Sequence, residues 1–472
     1  MTNILGLDVP VGHRPELDPD FVPVYPFLAA YEAAGERAEE IALVVERRSG
    51  QTARRDIRIH GTAAHRDLDF LYTSLMVDAL LWQAGGPTLY VCGDEAIAAR
   101  IRALYAPGGE RGFDYDFFGR QASGRPMEVL GLPRELAPAS TVSALPVHKD
   151  ARGRRVGIDL GASDIKYAAT ADGQVLASDE LVWHPKRHAD PNYHFEWITK
   201  AIRLAAAALG DRVDSVSYSS AGMFDGSRVS VSSLFRAVPD ATLEHWRDIL
   251  PRAARAVCGA VPVTVANDGD VSAFAGYLEF GRGEVLGAAL GTSLACGYVN
   301  RAGGTLGWAG EEGFVAFTNE LAFVIGDLCP SAARDADWSG KPCYSQLLSQ
   351  DAVVRLAGAA GIRFAGDDPA ERLKQTQALV ASGDERAARV FRSIGAYLAH
   401  AVPHFQVIYD GMISSVLLLG RVMSGVGGEI IRDTATGILT DAYPHVAGKV
   451  SLVLPGEEFR RKGQAVYACF LH

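Results

Sequence analysis

The sequence predicts a mixed α/β protein made of more than one compact part, and three observations predict it. Short apolar runs that read as strands alternate with helical patterns along most of the chain. A hairpin meander, a long helix and a further strand follow one another twice, at 41–61 and again at 156–178. The 472 residues are enough for two or three hydrophobic cores.

Taken in order, residues 1–20 read as an irregular leader, and an N-terminal α/β domain of unassigned role spans 1–135. Ile41 to Gly61 reads as a hairpin turning at Ser49-Gly50. Leu68 to Gly85 reads as a buried helix stopped by Gly85-Gly86-Pro87. Thr88 to Gly93 is a strand, and DEAIAARIRALYA follows as a helix. Residues 136–155, rich in small residues, Pro and basic side chains, form a linker. A new sheet then opens with Val156 to Leu160, turns through small residues into Ile165 to Thr170, and turns again at Asp172-Gly173 into Gln174 to Ser178. A helix at Phe195 to Leu209 and the strand VDSVSYSS complete the second pass. The echo between the two passes is weak, and it fits either a distant internal relationship or the commonness of α/β topology.

Composition narrows the function. The formal net charge is −10, and no long Lys/Arg run is present, which argues against a nucleic-acid partner. No stretch of about 18 residues is apolar and unbroken, so no membrane span is expected. The first residues turn acidic and Pro-rich at once, without a basic region leading into an apolar one, so a secretory signal is not expected. The six cysteines are scattered and form no CxxC pair. Reduced thiols in a cytoplasmic setting are expected.

Four motifs carry chemistry. Asp159-Leu160-Gly161-Ala162-Ser163 is an acidic strand end followed by a turn of small residues, on which phosphate oxygens can reach backbone N–H groups; an ordinary hairpin would read the same. The Asp is placed to hold the hydration shell of Mg²⁺. In VTVANDGD an apolar strand runs into Asn267-Asp268 at a helix start, which suits a general base and equally suits a helix N-cap. LGAALGTSLACGYV is strand, turn, strand, with Gly291, Thr292 and Ser293 at the turn, again either a phosphate cradle or a plain hairpin. VLLLGRVMSGVGGE takes a buried strand through Gly420, Arg421 and Gly425 into a helix, as a nucleoside pocket would require, although a lone Gly-rich turn is a weak signal.

The order of these motifs matches the superfamily of sugar kinases, actin and heat-shock ATPases, and within it the sequence resembles the ROK family of bacterial sugar kinases and regulators. The resemblance covers about 156–316 and 385–472. It implies a two-lobed actin-like ATPase fold, ribonuclease H-like in each lobe, with the N-terminal α/β domain added. The first kinase lobe would span 156–272 with the C-terminal helix 457–472, and the second 273–456. ATP and a sugar or cyclitol would bind between the lobes, and the lobes would close. Asp268 would be the catalytic base, and Asn267 and Glu311 would hold sugar hydroxyls. Asp159 would assist Mg²⁺ through water. Gly161, Ser163, Lys166, Gly291, Thr292 and Ser293 would serve the phosphates, and Gly420, Arg421 and Gly425 the nucleoside end. Phosphoryl transfer asks for little beyond positioning and charge neutralisation, so this set suffices. A homodimer is also implied.

The departures are specific. The family's zinc site needs a His after the sugar-binding Glu and closely spaced cysteines. Here the His position is Phe314, and Cys329 and Cys343 are too far apart, so no structural zinc is expected. Ala162, Ser163, Ser293 and Ala295 make both phosphate turns less Gly-rich than usual, and Arg421 replaces a small residue. A non-catalytic sugar sensor or regulatory pseudokinase of the same fold is the alternative; a DNA-binding repressor is disfavoured because the N-terminal block carries no basic recognition helix. His184, His188 and His194 read as solvated loop histidines, with a metal site as the alternative. Trp308 and Trp338 read either as sugar-stacking faces or as packing.

Overall fold

A computed structural model describes residues 1–141, 152–210, 212–305, 309–317 and 343–471. The chain gathers into two compact units. Unit 1 comprises Met1–Val142, Ala289–Ala295 and Glu311–Leu454; unit 2 comprises Ser143–Ala288, Cys296–Gly310 and Pro455–His472. Trp308, Trp338 and Cys329 lie outside the described residues.

The first stretch of chain holds strands β1 (Thr2–Ile4) and β2 (Leu7–Val9), helix α1 (Val24–Ala33), strands β3 (Glu39–Glu46) and β4 (Thr52–Ile59), helix α2 (Arg66–Ala84), β5 (Thr88–Cys92), α3 (Glu95–Leu104) and β6 (Glu128–Leu132). The middle stretch holds β7 (Arg154–Leu160), β8 (Asp164–Ala171), β9 (Gln174–Val182), α4 (Pro191–Ala207), β10 (Ser215–Ser220), β11 (Met223–Asp225), β12 (Arg228–Val231), α5 (Ile249–Cys258), β13 (Val263–Asn267) and α6 (Asp268–Phe280). The last holds β14 (Val285–Leu290), β15 (Leu294–Val299), α7 (Gln350–Ala359), α8 (Pro369–Ala381), α9 (Glu385–Ile408), β16 (Ser415–Leu419), α10 (Gly425–Ala442), β17 (Ser451–Val453) and α11 (Glu457–Ala468).

Unit 2 is built on a five-stranded sheet of order β13-β10-β7-β8-β9. Strands β7, β8 and β9 are an antiparallel meander, and β10 and β13 add in parallel. This is the ribonuclease H-like arrangement. Its central strand alternates strictly, because successive side chains of a strand point to opposite faces. Val156, Ile158 and Leu160 enter one core with Ile198 and Ile202 of α4. Gly157 and Asp159 share the other face. There α11 lies so close that a Cβ on Gly157 would stand 1.9 Å from the Ala465 carbonyl oxygen. A glycine is the only residue that admits that approach.

The described residues also form two four-stranded sheets, of which the N-terminal one lies wholly in unit 1. The N-terminal one has order β4-β3-β5-β6. Its β3–β4 hairpin turns at Gly50, which adopts φ +82°. Sixteen of the nineteen residues of α2 are buried, as a helix without a solvent face must be. The other sheet has order β15-β14-β16-β17. Arg55 of β4 is buried and stands 3.6 Å from Asp410, just past the end of α9, so the N-terminal segment packs into the same unit as 311–454.

Three local expectations are corrected. The leader 1–20 contains the β1–β2 hairpin, and its Leu17 and Asp18 are buried, with the Tyr397 hydroxyl donating to Asp18 at 2.5 Å. Three-residue strands are too short to show a period. Helix α4 starts at Pro191 with Asp190 as its N-cap, four residues ahead of the expected start. His194 is fully buried on α4, sharing a hydrogen bond with the Leu234 carbonyl, and burial pushes its imidazole below the usual range.

Candidate functional site

In unit 2 the strand ends bring four polar side chains together. Parallel pairing sets Ser219 of β10 beside Asp159 of β7, and the Ser219 hydroxyl donates to the Asp159 carboxylate at 2.9 Å. Antiparallel pairing sets Lys166 of β8 opposite Asp159, with the ammonium 3.8 Å from the carboxylate and 2.5 Å from Asp164. Asp159 is 5% exposed. Burial raises its carboxyl above the ordinary value, opposed by Lys166 and Ser219. Burial would lower the Lys166 ammonium, but Asp159 and Asp164 outweigh it and the net shift is upward. Lys166 therefore stays charged against two carboxylates.

The turn that follows is tight. The Gly161 N–H donates to the Asp164 carbonyl at 3.0 Å, and the Trp183 indole N–H donates to the Gly161 carbonyl at 2.7 Å. A Cβ on Gly161 would meet the Asp164 carbonyl oxygen at 3.0 Å. Ser163 is exposed at the turn.

The second strand end supplies Asn267 and Asp268. Asn267 is the N-cap of α6: its side-chain oxygen accepts from the Gly269 N–H at 2.8 Å, and its amide donates to the Gly222 carbonyl at 3.1 Å. Asp268 is the first residue of α6 and stays partly accessible. Loss of hydration, then the negative charge of Asp159, push its carboxyl up to about 6. The Gly269 N–H, at 3.1 Å, opposes that shift. Gln464 of α11 donates to the Asp268 carbonyl at 3.1 Å and to the Ser272 hydroxyl at 2.5 Å, which fixes the start of α6. A carboxylate in that range can take and release a proton near neutral pH.

Unit 1 carries the other candidates. The Gly291 N–H donates to the Ser293 carbonyl at 3.0 Å, closing the β14–β15 turn, and Thr292 and Ser293 are exposed at its tip. The Gly291 carbonyl accepts from the Gln350 N–H at the start of α7, at 2.8 Å. Gly420 follows β16 at φ +91°, and a Cβ there would stand 2.3 Å from the Leu290 carbonyl oxygen, so the two strand ends meet only because this residue is glycine. Arg421 is exposed, and its carbonyl accepts from the Gln377 side chain at 2.7 Å. Gly425 opens α10 at φ +61°. The Glu311 N–H donates to the Trp82 carbonyl of α2 at 3.1 Å.

Sequence reasoning missed Asp164 and Ser219. A signal for the second was present: VSYSS places three serines in a strand whose residues are all buried, and buried hydroxyls need partners. Among the described residues, no group of three or more His, Cys, Asp or Glu could hold a metal ion by itself. The chemistry of the donor set still fits a hydrated divalent cation. Asp159 and Asp268 are near enough for one carboxylate to raise the other, and ions held mainly through water need only one or two carboxylates.

These features define an α/β protein with two acidic strand ends beside a small-residue turn. No family model matches the sequence, and no curated protein matches it. Solved structures match its fold. A ROK family transcriptional regulator, a homolog of the E. coli MLC protein, superposes with a TM-score of 0.51 at 19% identity, over 67% of this chain and 78% of that one. A ROK family glucokinase from Streptomyces griseus, in complex with glucose and AMPPNP, gives 0.49 at 20% identity, over 67% and 98%. A ROK hexokinase from Thermus thermophilus gives 0.48 at 18% identity, over 68% and 97%. The chain thus has the ROK type of fold over two thirds of its length. Among the described residues, no helix is long and apolar enough to cross a membrane.

Proposed function

We propose that the protein is an ATP-dependent kinase that phosphorylates a hydroxyl of a sugar or cyclitol. The observation that carries this reading is Asp268, a partly accessible carboxyl at a helix start, pushed up to about 6 by burial and by Asp159. It would accept the proton of the acceptor hydroxyl as that oxygen bonds to the γ-phosphorus and the bond to the leaving ADP oxygen breaks. Asn267 and Glu311 would hold other hydroxyls of the acceptor. Gly161, Ser163, Gly291, Thr292 and Ser293 would offer N–H and hydroxyl donors to phosphate oxygens, and Lys166 its charge. Gly420, Arg421 and Gly425 would serve the nucleoside end. A Mg²⁺ ion held through water at Asp159 would neutralise phosphate charge. A cytoplasmic homodimer belongs to the same reading.

A second reading has its own support. The structure matching at a TM-score of 0.51 is a regulator, and Asn267 spends both ends of its amide on the backbone of its own unit. A sugar sensor of this fold would bind ligand without turnover.

The test is ADP release from ATP·Mg²⁺ over a panel of hexoses, amino sugars and cyclitols, with Asp268→Asn as control. Turnover on an acceptor that disappears in the control supports the kinase. Sugar-induced thermal stabilisation without any turnover moves the assignment to the sensor.

A further inference from the structure

The segment that carries Glu311 is anchored within unit 1 by helix α2 of the N-terminal block. The Glu311 N–H donates to the Trp82 carbonyl at 3.1 Å. The Phe314 ring lies on the Trp82 indole, with centroids 5.1 Å apart. The Ala316 N–H donates to the Asp78 carboxylate at 2.9 Å. The Val24 N–H, at the start of α1, donates to the Phe317 carbonyl at 2.8 Å. Asp78 and Trp82 are four residues apart, so one face of α2 reaches both ends of the segment.

The anchor is itself held rigidly. Asp78 is 1% exposed and Trp82 1% exposed. Arg111, 3% exposed, donates to the second oxygen of Asp78 and stands 3.4 Å from Asp114. Phe117 and Phe118 also pack on the Trp82 ring, with centroids 5.1 and 4.8 Å away. A buried carboxylate paired with an arginine gives a backbone N–H a strong, directed acceptor. Of the segment itself, Glu311–Phe317, the one helical turn is the 3₁₀ turn at Glu312–Phe314, so its shape depends on outside contacts: those from the N-terminal block, together with the Ala316–Cys343 bridge, the Tyr344 N–H on the Val315 carbonyl and the Tyr409 hydroxyl on Glu312.

We propose that Asp78, Trp82 and Arg111 are positioning residues for the Glu311 segment, and that the N-terminal block thereby sets acceptor binding. This rests on the proposal that Glu311 contacts the acceptor. It assigns a task to residues 1–135 that no motif in them suggests.

Hydrogen–deuterium exchange on the full chain tests the anchoring without any activity. Asp78→Ala and Phe314→Ala should speed exchange across 311–317 by about fivefold or more, the effect of losing one buried contact, while the β3 amides keep their protection. Trp82→Phe, which keeps an aromatic ring under Phe314, should stay close to wild type. Phe314 is only partly buried, so Phe314→Ala leaves a folded protein even where Asp78→Ala does not. The acceptor arm uses the best sugar of the panel, by KM in the kinase assay or by thermal-shift titration if there is no turnover. Phe314→Ala should weaken sugar binding several-fold with KM for ATP unchanged. Unchanged exchange in Phe314→Ala overturns the anchoring. Faster exchange with unchanged sugar affinity overturns the positioning role. A panel without turnover defeats the kinase reading but leaves both of these outcomes readable.

Discussion

Replacing Asp268 by Asn should make the protein more stable, and by an amount that depends on pH. The folded chain raises this carboxyl from 3.8 to about 6, chiefly by burial and then by Asp159. That rise corresponds to about 3 kcal/mol, and partial solvent access brings the expected value to roughly 1–3 kcal/mol. Because the folded value lies above the unfolded one, the folded state holds the proton more tightly. The cost of the charge is therefore absent below 3.8, grows as pH rises towards 6, and is constant above that. Asn keeps an oxygen for the Gly269 N–H, so the change removes charge and little else. Urea unfolding followed by tryptophan fluorescence, at about pH 4 and about pH 7.5, reads the difference directly. A gain at the higher pH that shrinks at the lower one is the expected result. A loss of stability at the higher pH, or a gain equal at both, would refute the claim that Asp268 is held at an energetic cost.

The same carboxyl governs activity with the opposite sign. If the chain is a kinase, kcat/KM should fall about tenfold per pH unit below a limb near 6, and Asp159→Asn should move that limb down by removing a like charge; a limb that stays put in Asp159→Asn would separate the two carboxylates. Gly157→Ala should destabilise the docking of α11 by at least about 2 kcal/mol, since the new Cβ would overlap the Ala465 carbonyl oxygen. Limited proteolysis should then release a C-terminal fragment first, and a wild-type digestion pattern would count against the packing described.

The legible parts of the fold were those with a local signature. The Val156–Leu160 strand was visible in its alternation, and the Gly50, Gly161 and Gly291 turns in their small residues. Asp159 and Asp268 were visible because both sit where an apolar strand stops. Their partners were not. Ser219 is sixty residues from Asp159, and only the register of β10 on β7 brings them together. The start of α4 was missed because its apolar period begins after its cap. Asp190-Pro191 was a start signal in its own right. The hold of α2 on 311–317 was invisible for the same reason as Ser219: it joins residues more than two hundred positions apart, which no spacing rule reaches.

The close approach of α11 to Gly157 also sets an order of events during synthesis. The face of β7 that α11 covers leaves the ribosome about 300 residues before α11 does, a wait of roughly 15–60 seconds at ~5–20 residues per second. For that time the apolar cluster of Ala168, Ala465, Val466 and Cys469 lacks three of its four members. Unit 1 meanwhile receives every one of its residues before unit 2 can be finished. A released chain cut between β17 and α11 would thus hold every residue of unit 1 and leave one face of the β7 sheet without its helix.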